Sequence, residues 1–84
     1  MKPPNYLKMN NLDKYSKDFT AHLVKKFQER ESEGTSIYWP EAKNDIELAV
    51  IQNSAKILGR EPTYLEISSI KENVQFVLAE TLED

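Results

Sequence analysis

Apolar residues recur every three or four positions in three separate runs, and each run is bounded by a helix start or stop. In the first, Leu12, Tyr15, Phe19, Leu23 and Phe27 line up along one face of a helix. The spacing predicts a helix from Asn11 to Glu33, ended by Gly34. The second run opens at Pro40, which suits a first helical position, and extends to Leu58. It carries two stripes. One is Ala42, Ile46, Ala49, Val50 and Ile57, and the other, roughly 150° away at 3.6 residues per turn, is Leu48, Ile51, Ala55 and Leu58. Only Glu41, Asp45, Gln52 and Lys56 form a polar wedge, so this helix is expected to be packed on two sides. It would then be the central layer of the fold or half of a dimer interface. The third run, Thr63 to Leu82, gathers Ile67, Ile70, Val74, Val77 and Leu78 on one face and leaves Leu65 and Phe76 off it.

The boundary between the second and third runs is the sharpest local signal. Gly59 can take the positive φ that a helix end requires just past its last turn. Pro62 cannot continue a helix interior. Thr63 with Glu66 three positions later spells a capping box. The expected fold is all-α: a small three-helix domain with a tight helix-turn-helix corner at 58–63. An α+β alternative pairs the β-forming stretches of residues 64–78 as a hairpin. Residues 1–10, with Pro3-Pro4 and Asn5 and Asn10, read as a flexible leader before a single helical domain at 11–84.

Eighty-four residues make one domain. A chain of this size buries only roughly 60–65% of the surface that its unfolded form exposes, so a partner could contribute to its stability. The absence of cysteine removes disulfides and thiolate metal sites. No apolar run approaches the ~18 residues of a membrane span, and the N-terminus lacks a signal peptide's apolar core, so a soluble cytoplasmic protein is expected. The net charge of −3 hides an asymmetry. Residues 1–27 hold six lysines against Asp13 and Asp18, whereas residues 28–84 hold five basic and twelve acidic residues. A basic arm on an acidic body is expected either to draw the two halves of the chain together as the small fold closes or to steer partners of opposite sign to different surfaces.

Little in the chain supports catalysis. His22 is the sole histidine and has no metal-binding companion. Ser16 and Thr20 lie near Asp18 and His22, but such neighbours are common on helices. Carboxylate pairs such as Glu41 with Asp45 read as solvated faces. Two glycines cannot build a phosphate-cradling loop. No enzyme activity, metal, cofactor or small-molecule substrate is expected.

Nucleic-acid binding has two supports. Lys14, Lys17 and Lys25 fall opposite the apolar face of the first helix and are the candidate phosphate contacts. The corner Leu58-Gly59-Arg60-Glu61-Pro62-Thr63, followed by Glu66-Ile67, resembles a stretch of the central helix-turn-helix domain of bacterial sigma factors. That resemblance covers about ten residues of the 84 and would imply DNA contact. The helix that would follow the corner opposes it, since Tyr64 to Asp84 holds one lysine and no arginine against Glu66, Glu72, Glu80, Glu83 and Asp84. A nucleic-acid-binding regulator is therefore the second choice.

The first is a small acidic, non-catalytic protein–protein interaction module: an adaptor, inhibitor or regulatory subunit. Its partner would be a protein of basic character or a second copy of the chain, and no membrane. The candidate contact residues are Tyr38 and Trp39 in the connector, Leu48, Ile51 and Leu58 on the second helix, and Leu65 and Phe76 on the third. Aromatic side chains of this kind dominate binding hot spots.

Overall fold

The computed structural model describes the backbone of residues 4–82 and the side chains of residues 11–82. Three helices account for most of it: α1 (Pro4–Ser32), α2 (Trp39–Leu58) and α3 (Tyr64–Leu82). The described residues contain no strand, and residues 64–78 all lie within α3, which overturns the hairpin alternative. A helical stripe runs unbroken from Ile70 to Val74 across Lys71-Glu72-Asn73, where a hairpin would have turned, and both are fully buried.

Helix α1 begins at Pro4 rather than Asn11 and takes in most of the residues read as a leader. Proline lacks only an N–H that the first turn leaves unbonded anyway, so Pro4 is accommodated as the first residue of α1. The rest of that leader, residues 1–3, lies outside the described residues. At its other end α1 stops as expected at Gly34, whose φ of 105° lets Thr35 N–H reach Arg30 O (3.0 Å) and Gly34 N–H reach Glu31 O (3.1 Å). That paired capping pattern is a Schellman motif.

The helices run up, down and up. Phe27 of α1 meets Trp39 at the start of α2, and Leu12 shares a cleft with Ile57 and Leu58 at its end. Asn73 Nδ2 of α3 donates to Asp13 Oδ1 of α1 (3.0 Å), and one turn further along both helices Lys17 meets Phe76, so α1 and α3 lie side by side in the same direction. The core is Leu12, Val24, Ile46, Val50, Ile70, Val74 and Leu78, with Phe19, Leu23, Phe27, Trp39, Ile51 and Leu82 packed around it. The most extensive interface joins α1 to α3 and the smallest joins α2 to α3, so α2 is not the central layer.

The buried line of α1 is not its aromatic stripe. Leu12, Ser16, Thr20 and Val24, four apart, form the innermost ridge, while Tyr15, Phe19, Leu23 and Phe27 flank it half-buried. On α2 the corresponding line is Ala42, Ile46, Val50 and Ser54. Ser16, Thr20 and Ser54 are 0% exposed. Each donates its hydroxyl to the carbonyl one turn earlier: Ser16 to Leu12 O (2.8 Å), Thr20 to Ser16 O (2.6 Å) and Ser54 to Val50 O (2.8 Å). A hydrogen bond within its own helix offsets much of the cost of burying a hydroxyl, and a small side chain lets two helices approach closely. Ile57, expected on the core stripe, is instead mostly exposed, because it sits in the last turn of α2 at the rim of the bundle.

Candidate interaction surface

The α2–α3 corner is built as its residues dictate. Gly59 adopts φ 74°, ψ 18°, the left-handed region, and both Gly59 N–H (2.9 Å) and Arg60 N–H (3.2 Å) reach Ala55 O. Thr63 Oγ1 accepts from Glu66 N–H (3.2 Å) while Glu66 Oε1 accepts from Thr63 N–H (2.8 Å), closing the capping box in both directions. The Arg60 guanidinium clasps the same carboxylate with two bonds, Nη1 to Oε1 (2.8 Å) and Nη2 to Oε2 (2.9 Å). The Arg60 bonds foremost, then the Thr63 N–H, pull the Glu66 carboxyl down to about 2 against the opposing effect of burial. The one arginine of the corner is thereby committed to the protein's own fold.

Among the described residues six large apolar side chains remain in water: Tyr38, Leu48, Ile57, Tyr64, Leu65 and Phe76, each between 51% and 82% exposed. Their positions are not random. Leu65 and Phe76 are eleven residues apart on α3, which places them within about 20° of each other and roughly 16 Å apart along the axis. They define an outward stripe of α3, with Tyr64 exposed at its start. The ammonium of Lys17 on α1 lies 5.2 Å from the centre of the Phe76 ring, so one edge of that stripe is cationic.

The other candidate residues separate into covered and uncovered. Trp39 is half-buried: it meets Phe27 edge-on (ring centroids 5.9 Å apart) and donates its indole N–H to Glu31 Oε2 (3.2 Å). Ile51 packs on the core and Leu58 is half-buried, leaving Leu48 as the exposed member of the second α2 stripe. Lys14 pairs with Asp18 (3.4 Å), Lys17 rests on Phe76, and Lys25 is exposed. His22 stacks on Phe19 (6.2 Å) at the surface, away from the buried hydroxyls of Ser16 and Thr20. Among the described residues no three metal-ligating side chains converge, and no helix is long and apolar enough to cross a membrane.

Between α1 and α2 lies an open cleft of about 230 Å³, which the sequence did not reveal. Leu23, Phe27, Ile46 and Ala49 make its floor; Lys26 and Arg30 stand on the α1 rim and Asp45 on the α2 rim. Its only signal in the sequence is the pair of cations one turn apart beside the aromatic stripe. Compared with known proteins, the chain matches no family model, and no curated protein or solved structure is significantly similar to it.

Proposed function

We propose that this chain is a non-catalytic protein–protein interaction module, an adaptor, inhibitor or regulatory subunit, whose principal contact surface is the outward face of α3. The observation that carries this reading is the exposed pair Leu65 and Phe76 on one stripe of α3, beside Tyr64, in a bundle whose core is otherwise closed. Large apolar anchors at a protein surface mark association sites. Glu72 and Glu80 lie one turn to either side of Phe76 and are exposed, so the surface suits an apolar partner patch rimmed with basic residues.

The test compares the wild-type chain with a Leu65→Ser/Phe76→Ser variant as bait in extracts of cells that make it, together with the solution mass of each alone. A partner, or a second copy, that is held by the wild type and lost by the variant is the expected result. Equal retention by both, or a monomer that retains nothing, would sink the proposal. The nucleic-acid reading rests on exposed Lys14 and Lys25 with Lys17. Charge reversal of the three should abolish DNA affinity if that reading is correct and leave protein capture unchanged.

A further inference from the structure

The α1–α2 cleft, unlike the convex α3 stripe, is a concave site with charges on its rim. Its floor is apolar, down to Ile46 at 1% exposure. Its walls are of opposite charge, with Lys26 and Arg30 on α1 and Asp45 on α2. The two ion pairs among the described residues are Lys14–Asp18 and Arg60–Glu66, so none of these three rim charges is neutralised by a pair. Arg30 is also held in place, its guanidinium carbon 5.4 Å from the centre of the Phe27 ring. A cation already stacked on an aromatic loses less freedom when an anion arrives.

We infer that this cleft is a second docking site, for an acidic amphipathic helix of a partner protein. One large apolar side chain of that helix fills the cleft, and carboxylates one turn to either side of it meet Lys26 and Arg30. The argument is charge complementarity. Lys26 and Arg30 are neighbours four residues apart on one helix face, and carboxylates one turn to either side of an apolar anchor on a docking helix come within reach of their long, flexible side chains. Asp45 sets the side on which they lie, because a carboxylate placed over the α2 rim is repelled. The rim is net cationic on a chain whose charge is −3, so a general preference for basic partners would not fill it. This inference rests on the reading of the chain as an interaction module but concerns a different surface.

The probe is a synthetic alanine-based helical peptide carrying one Phe with Glu four residues before and after it, and a control with Lys at both places. Each is titrated into the full ¹⁵N-labelled chain while amide shifts are followed. The Glu peptide should move Leu23, Phe27 and Ala49 and the Lys peptide should not. Lys26→Glu/Arg30→Glu should weaken the Glu peptide about tenfold, and Asp45→Lys should strengthen it roughly threefold. All three rim residues are exposed, so these variants keep the fold. Shifts confined to Leu65 and Phe76, equal response to both peptides, or insensitivity to Lys26→Glu/Arg30→Glu would overturn the inference. So would a response to vesicles of anionic phospholipid in the absence of any response to the Glu peptide. Its failure is separable from that of the module reading: partner capture lost on Leu65→Ser/Phe76→Ser but kept on Lys26→Glu/Arg30→Glu leaves the module and removes only the cleft.

Discussion

Two regions of this bundle reverse the usual distribution of residues. At the packed faces of α1 and α2, three hydroxyl side chains, Ser16, Thr20 and Ser54, are 0% exposed. On the outer face of α3, Tyr64 and Leu65 are 82% and 74% exposed. Hydropathy alone would have exchanged the two sets. What separates them is volume and local satisfaction. A serine bonded to the carbonyl one turn earlier behaves as a small neutral filler, and the interior of a short bundle needs small fillers where helices approach. A leucine on the far side of a helix has no neighbour to pack on in so short a chain. The interior is decided by fit, and the apolar residues left over are available to another molecule.

The sharpest ways to break this comparison begin in the core. Ile70→Ala removes a fully buried side chain and should cost about 2–5 kcal/mol of unfolding free energy, read by urea denaturation. Ser54 comes next and separates size from polarity. Ser54→Leu should destabilise by about 1–3 kcal/mol through overpacking, whereas Ser54→Ala should stay within about 0.5 kcal/mol, because the Val50 carbonyl also serves its ordinary helical bond. Equal losses for the two substitutions would mean that the hydroxyl itself matters.

The corner offers an intermediate test. The Glu66 carboxyl is depressed from 4.5 to about 2 on folding. Its contribution is therefore complete above about 4.5 and is lost as pH falls from there toward about 2. The stability gap between wild type and Glu66→Gln should close over that window and stay constant above it, as thermal unfolding at successive pH values would show. At the small end, Leu65→Ser should change stability by no more than about 0.5 kcal/mol, since its side chain packs on nothing that folding requires.

Much of the architecture is legible from local chemistry. Gly59, Thr63 and Glu66 act over three or four residues at fixed offsets, so the corner forms as its letters prescribe. The α3 core face and the outward Leu65 and Phe76 follow from helical periodicity alone. Features that depend on the relation between helices are not legible. The aromatic stripe of α1 is real but is rotated off the buried centre, because Ser16 and Thr20 let α1 pack closely along the Leu12–Val24 line. The Arg60–Glu66 clasp spans six positions across a turn whose path no periodicity describes. The α1–α2 cleft exists only once Phe27 and Ile46 face each other across two helices. In each case the missing information was a distance between elements.

The central claim is that the exposed apolar side chains serve association and not folding. It is tested by measuring, on a Leu48→Ser/Leu65→Ser/Phe76→Ser variant, both the unfolding free energy and the capture of a partner or second copy. The account predicts stability within about 1.5 kcal/mol of the wild type together with loss of capture. A variant that loses more than about 3 kcal/mol while still holding its partner would place those side chains in the fold's own stability and contradict it.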